Sequence, residues 1–531
     1  MAAVRTHEDQ EHAARRARRI LARVACLLAV LALGGCAVGP KFVKPEVALN
    51  PDWAGKGDSL LTEGSPDSAW WRAFNDTTLD RLVEIAYHQN LPLQVAGLRI
   101  FEARAELGIA TGRQYPQVQA AGGSATAVGI SEHAANGAGL DREFWDYQLG
   151  FDAAWELDFW KKYRSGVKAE AANYLAQVAN YDDALVTLTA EVARIYSVIR
   201  TFEVLIAQAR ENVGIQEEGQ RIAESRFRHG ATSELDVSQA TTLLESTRAT
   251  IPQLEINLQQ SRNALSTLLG QPTGSVEALL AGTTGIPAAP AQAAVGVPAE
   301  LLRRRPDIRA SEFAAMSQIE RIGVAKADLY PSFAISGTIG TQSSSGAGFQ
   351  AGSLFSAGSW FYSFGPRFIW TLFNYGRIKN NVRVQDARFQ QTLMDYRDTV
   401  LRAAQEVEDG LVGFLKSREA TVSAANAAAA AQRSVDVSLV QYKEGAVDFQ
   451  RVLDAQRSLL EEQNTLAQTQ SSVATYYISL YKALGGGWEL RNGQALVSDS
   501  TRIEMEQRTN WGNAFTKEPS LPKSTTSSST E

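Results

Sequence analysis

This 531-residue sequence predicts an α+β membrane protein built as a tandem internal repeat, in which four β-strands per chain enter a barrel continued by long helices. Three observations lead there. Landmarks recur at an offset of 215 residues. Two pairs of alternating, aromatic-ended segments hold equivalent places in the two copies. Each copy then runs into a proline-free helical pattern of about 68 residues, roughly 100 Å at about 1.5 Å per residue.

The repeat sets the organisation. Tyr115-Pro116 meets Tyr330-Pro331, and Trp155 and Leu157 meet Trp370 and Leu372. Glu191-Val192 meets Glu406-Val407, Gly230-Ala231 meets Gly445-Ala446, and Leu269-Gly270 meets Leu484-Gly485. One gapless offset aligns them all, so copy one is placed at 79–270 and copy two at 299–485, joined by a linker at 271–298.

Ahead of the repeat, Arg15, Arg16, Arg18, Arg19 and Arg23 precede an apolar run from Val24 to Leu33, which is too short to span a bilayer. It ends in Leu33-Gly34-Gly35-Cys36, which resembles a lipoprotein signal. That resemblance implies removal of residues 1–35 and acylation of Cys36, with Ala37 marking an outer-membrane address. Cys26 leaves with the signal, so Cys36 is the mature chain's only cysteine and no disulfide forms within it. Residues 36–78 then form a lipid-anchored N-terminal segment.

Each copy opens with a helical stretch, 79–114 or 299–329, stopped by its Tyr-Pro pair. Strands follow at about 117–126 and 145–157 in copy one, and 332–341 and 360–373 in copy two. Tyr147, Leu149, Phe151, Ala153 and Trp155 alternate with Gln148, Gly150, Asp152, Ala154 and Glu156, a period of two with one apolar face. A half-buried soluble sheet would alternate likewise. Aromatics at the strand ends (Trp145, Trp155 and Trp160; Trp360, Trp370 and Tyr375) and the lipidation signal favour a membrane barrel. Long helices are expected at 162–229 and 377–444. Gly230 and Gly445 reverse the chain into return helices at 232–270 and 447–485. Pro252 should kink the first return helix, where copy two has Ala467. The Ser/Thr-rich tail from Pro519 within 486–531 is expected to be disordered.

Four strands cannot close a barrel, since about eight is the smallest closed form. Open edges are not tolerated in lipid. The strands must therefore be pooled between chains, and a homotrimer supplies twelve.

With these elements in place, a set of local stretches resembles the TolC family of outer-membrane efflux channels, specifically its NodT/OprM-like lipoprotein branch. They are Gly35-Cys36-Ala37-Val38-Gly39-Pro40, Trp70-Trp71, Asn90-Leu91-Pro92-Leu93, Trp155-Glu156-Leu157-Asp158, Arg304-Arg305-Pro306-Asp307, Tyr442-Lys443-Glu444-Gly445 and Leu453-Asp454-Ala455-Gln456. Each is weak alone; their order makes them specific. The resemblance implies a homotrimeric channel in outer-membrane lipid that docks with a periplasmic adaptor and an inner-membrane RND-type pump and passively exports small molecules. Type I secretion and metal-ion efflux stay open as alternatives, and a lipid-anchored helical scaffold is the more distant one. It further implies that the tips at Gly230 and Gly445 contact the adaptor and that Asp454 forms a gate. Relatives often carry a second acid or an apolar ring nearby; here Arg451 and Gln450 stand there, so Arg451 is a candidate partner for Asp454. Three carboxylates brought together by threefold symmetry would raise their pKa values or recruit cations. One departure is Lys161-Lys162, where many relatives have Gly-Arg, as copy two does at Gly376-Arg377.

Other classes fit poorly. A net charge of −6 is no footing for nucleic-acid binding. His88, His133 and His229 are the mature chain's only histidines, and no HExxH, Gly-x-Ser-x-Gly or Walker lysine is present, so neither an enzyme nor a cofactor is expected. Gly346–Gly352 lies between two strands and reads as a surface loop. Arg304 to Arg309 reads as a helix start more readily than as an anion site. No Met-rich or His-rich track marks a metal route.

Overall fold

The computed structural model describes residues 38–53, 55, 57–62, 68–133, 141–296, 304–345, 351–516 and 518–522. Cys36 and the leader before it lie outside them, as do 346–350 of the glycine-rich loop and the tail from 523. The chain runs α1 (Thr77–Gln89), α2 (Leu91–Gly112), β1 (Val118–Gly129), β2 (Glu143–Leu157), α3 (Lys162–Arg228), α4 (Glu234–Leu268), α5 (Pro306–Ala327), β3 (Ser332–Ser344), β4 (Trp360–Ile369), α6 (Arg377–Lys443), α7 (Phe449–Ala483) and α8 (Asp499–Arg508). Among the described residues, no helix is long and apolar enough to cross a membrane.

The helix expected over 79–114 is two helices. Pro92 cannot donate to the ladder, so the chain must restart there. Asn90 takes an extended conformation and its side chain accepts the Leu93 N–H at 2.8 Å, capping α2. α2 and α5, each 22 residues, are repeat equivalents, and both begin with a proline in the first turn. At the start of α5, Arg305 is buried and bonds Asp307, Glu406 and the Ala483 carbonyl, which accounts for the arginine run structurally. Pro252 lies within the continuous span of α4.

Four strands form one antiparallel sheet in the order β1-β2-β3-β4. β2 and β3, from different copies, pair as Leu149 with Thr341, Phe151 with Ile339 and Ala153 with Gly337. These residues share the apolar face. The opposite face carries polar rungs: Thr338 donates to Asp152 at 2.6 Å, and Gln342 and Ser344 donate to Asp146. The registers also correct the gapless repeat. Val118 pairs with Ala154 and Ser332 with Ile369. The second strands thus keep the 215-residue offset, whereas the first strands are offset by 214. Copy one has an extra residue, Gln117, between the proline and its strand, and the hairpin loop absorbs it.

Both long helices start from a left-handed residue, Lys161 (φ 59°) before α3 and Gly376 (φ 82°) before α6. Lysine carries a steric cost there that glycine does not. In copy one the Asp158 carboxylate compensates by accepting from the Tyr163 and Arg164 N–H groups, each at 3.0 Å. The equivalent residue in copy two is Phe373.

The main core lies midway along the helices. Trp70, Trp71 and Phe74 insert among Tyr181, Tyr196, Phe414, Tyr477 and Tyr481. Two terminal straps brace the helices above it. The first runs from Gly39, against Gly323 of α5, past Val47 and Leu49 on α5 and α6, to a short parallel pairing of Leu61–Thr62 with Ala293–Ala294. The second places Phe515 on Phe101 and Leu521 against Leu107, Ala110, Val167 and Ala171. The stretch from Pro519 to Pro522, expected to be disordered, is therefore docked at Leu521 by apolar contact.

Candidate functional site

The two helical hairpins turn at the end of the molecule remote from the sheet. Helix α3 ends with Gly230 at φ 73°, and α6 with Gly445 at φ 79°. Around Gly230, the Ala231 N–H bonds the Arg226 carbonyl at 2.8 Å and the Gly230 N–H bonds that of Phe227 at 2.9 Å. Around Gly445, Ala446 bonds Gln441 at 2.8 Å and Gly445 bonds Tyr442 at 3.0 Å. This paired bonding past a left-handed residue strongly favours glycine, which has no Cβ to strain there, so both turns are written into the sequence.

Beneath the turns, Ala223, Ala240, Leu243, Tyr442, Phe449, Val452 and Leu453 form a small core joining the hairpins. Arg226 of α3 fastens them. Its guanidinium lies 4.8 Å from the Tyr442 ring centre and donates to the Tyr442 carbonyl at 2.5 Å. The Tyr442 hydroxyl donates to Asp236 at 3.2 Å, and Thr232 also donates to that carboxylate. Burial raises the Tyr442 pKa, with Asp236 adding to it. Sequence reasoning missed Arg226, because only the fold brings α3 against the end of α6.

The candidate gate residues lie on the first turns of α7. Asp448 caps this helix by accepting the Arg451 N–H at 3.3 Å. Gln450, Arg451 and Asp454 are exposed, while Val452 and Leu453 between them are buried. Gln450 donates its side-chain amide to the Asp454 carboxylate at 2.9 Å, one helical turn away. Within one chain, then, Gln450 holds Asp454, and no Arg451–Asp454 ion pair occurs among the described residues. The repeat equivalents of Arg451 and Asp454 are Asp236 and Gln239, so copy one places a structural acid where copy two exposes a cation, and a neutral amide where copy two has its candidate gate acid.

Of the anchor region, Val38 and Gly39 are the first described residues. Gly39 is packed so closely on Gly323 that an added Cβ would lie 2.9 Å from its Cα. Gly323 belongs to the last turns of α5, just before β3, so the chain emerges beside the base of the sheet.

Comparison with known proteins agrees with this geometry. A family model described as outer membrane efflux protein matches twice, at residues 82–271 and 297–486, once per copy. Nodulation protein T of Rhizobium leguminosarum bv. trifolii is 32% identical over 461 residues, covering 86% of this chain and 96% of the relative. Cation efflux system protein CusC of Escherichia coli O6:H1 is 29% identical over 461 residues, covering 86% and 97%. A solved structure of the outer-membrane channel OprN matches with a TM-score of 0.80 at 30% identity, covering 86% of this chain and 100% of that one.

Proposed function

The chain belongs to the outer membrane efflux protein family, and on that premise we propose that three copies pool their strands into one twelve-stranded barrel continued by a helical tube. It is an outer-membrane efflux channel. The observation that carries the trimer is one four-stranded sheet, apolar on one face and with both edge strands unpaired on their outer side, continuous with two 67-residue helices. A single copy has too few strands to close, and lipid does not tolerate the open edges.

In this reading Cys36 carries the lipid. Three residues extend at most about 11 Å, so an anchor beginning at Gly39 reaches the base of the sheet, where the inner leaflet lies. The cargo consists of small molecules delivered by an inner-membrane RND-type pump through a periplasmic adaptor that grips the tips at Gly230 and Gly445. This chain supplies the path, and its partners supply the energy. The gate is the ring of three Asp454 carboxylates, each oriented by Gln450, with Arg451 beside it on the exposed surface and free to pair across a subunit boundary.

Conductance of the channel in a planar bilayer tests the gate. Asp454→Ala is expected to raise it, and unchanged conductance removes Asp454 from the role. Likeness to a cation efflux protein favours a second reading, in which metal cations are the cargo. Deleting the gene separates the two: sensitivity to organic toxicants alone supports the first, and sensitivity to metal salts alone the second.

A further inference from the structure

We propose that the subunit seam joins β4 of one protomer to β1 of a second copy in one register, with Phe364 opposite Ala127, Pro366 opposite Ala125 and Phe368 opposite Gly123. The register presupposes the closed ring proposed above and adds what that reading leaves open.

The internal repeat supplies it. Within one chain, copy one hands over to copy two where β2 meets β3. In a closed ring, copy two must hand over to the next copy one, and β4 and β1 are the strands at the two edges. Moving β2 forward by 215 residues gives β4, and moving β3 back by 214 gives β1, the offsets that the hairpin registers show. Leu149–Thr341 then becomes Phe364–Ala127, Phe151–Ile339 becomes Pro366–Ala125, and Ala153–Gly337 becomes Phe368–Gly123. A uniform offset of 215 would instead set an apolar-face residue of β4 against a residue from the polar face of β1. The one-residue slip restores matching faces.

Three further features agree. First, from residue 121 onward the apolar face of β1 carries only small residues, Ala121, Gly123, Ala125, Ala127 and Gly129, with Gln119 at its start, whereas that of β4 carries Trp360, Tyr362, Phe364 and Phe368. Large rings beside bare backbone are a complementary cross-strand pattern. Second, β4 stops at Ile369, where β3 begins at Ser332. The equivalent residues in copy one, Trp155 to Leu157, lie beyond β1 and are strand because β3 pairs with them. Trp370, Thr371 and Leu372 thus need a second copy's β1 to complete their strand, and the register offers them Ala121, Ala120 and Gln119. Third, Trp160 stacks on Tyr330 across the handover within the chain, with ring centres 4.7 Å apart. Their repeat equivalents are Tyr375 and Tyr115, which are 103% and 63% exposed in a single chain. Across the seam, Tyr375 would stack on the neighbour's Tyr115.

Disulfide crosslinking tests the register. Directly opposed residues lie about 4.5–5.5 Å apart between Cα atoms, within disulfide reach, whereas same-face neighbours two residues along lie about 7–8 Å away and outside it. In outer-membrane vesicles, Phe364→Cys with Ala127→Cys is expected to form reducible dimers and trimers on oxidation. Phe364→Cys with Ala125→Cys, or with Gly129→Cys, should remain monomeric on a denaturing gel. Should replacing Phe364 disturb assembly, Ser363→Cys with Val128→Cys tests the same register on the polar face. Preferential crosslinking of a shifted pair overturns the register, as does a trimeric wild type in which neither in-register pair reacts. A wild type that is monomeric by detergent-corrected mass overturns the closed ring itself, and the register with it.

Discussion

Helices α3 and α6 are repeat equivalents of equal length, yet they live in different surroundings. Helix α3 is buried along most of its course, with Tyr181, Leu185, Tyr196 and Ile199 fully enclosed. Helix α6 exposes Met394, Leu401, Val412, Val422 and Val440. Position in the protomer makes the difference. α3 packs against α2, α4, α5 and α7, whereas α6 follows the edge strand β4 and packs against α5 and α7. Duplication therefore produced one copy whose long helix is core and another whose long helix leaves apolar side chains exposed in the single chain. Equivalent residues have diverged to suit.

The sharpest case is Asp182, wholly buried and bonded to Arg491 at 2.6 Å, with Arg309 3.8 Å away. Its equivalent in α6 is the exposed Arg397. Asp182→Ala should destabilise by about 3 kcal/mol in denaturant unfolding, because two arginines lose a desolvated partner. Arg397→Ala should stay within about 0.5 kcal/mol. Equal losses would show that the two helices are not energetically distinct.

The next residue repeats the contrast through pH. Burial pushes the Asp183 carboxyl from 3.8 up to about 6, with Asp307 and Glu406 raising it and Arg305 and Lys482 opposing. Its equivalent, Asp398, is exposed and pairs with Arg402 at 2.8 Å. A folded value above the unfolded one means that the folded chain holds the proton more tightly. Stability should therefore rise as pH falls from about 7 toward about 4, by on the order of 2 kcal/mol from this group. Asp183→Asn should keep that gain at neutral pH and flatten this part of the profile.

Where the chain enters the long helices, Gly376→Lys should cost about 1 kcal/mol, since a side chain in the left-handed region is strained and Phe373 offers no capping carboxylate. Lys161→Gly should change stability by less, because relief of strain is offset by a freer unfolded chain. At the tips the effect is smallest. Tyr442→Phe removes the hydroxyl bond to Asp236 and should cost about 0.5–1 kcal/mol. Installing that hydroxyl at the equivalent, part-exposed position with Phe227→Tyr should change nothing measurable. Thermal unfolding of the assembled protein reads each of these.

Features that depend on neighbouring residues were legible in sequence. Gly230 and Gly445 announced the tips because the bonding past a helix end needs a left-handed residue that glycine supplies. Aromatic-ended alternation announced the strands, and the ordered family motifs announced the channel. The Gln450–Asp454 contact is local too, one turn apart on a helix. Asn90 was misread as mid-helix, although Pro92 was in view, because the apolar pattern runs on through the break. The extra Gln117 escaped notice since sparse identities cannot locate a one-residue slip in a turn. The docked Leu521 could not be foreseen, for a polar, Ser/Thr-rich tail gives no sign of the groove between α2 and α3 that receives one leucine.

By itself, then, the sequence determined the duplication, the alternation of strands, the length of the helices and the positions where they reverse, since short-range sterics and periodicity dictate each of these. Tertiary structure decided which copy became core and which became rim, that Arg226 clasps the two tips, and that the β-registers differ by one residue. Those outcomes depend on surfaces brought together from residues some 200 positions apart, such as Arg226 with Tyr442 and β2 with β3. No local pattern encodes a contact whose other half is supplied by the fold.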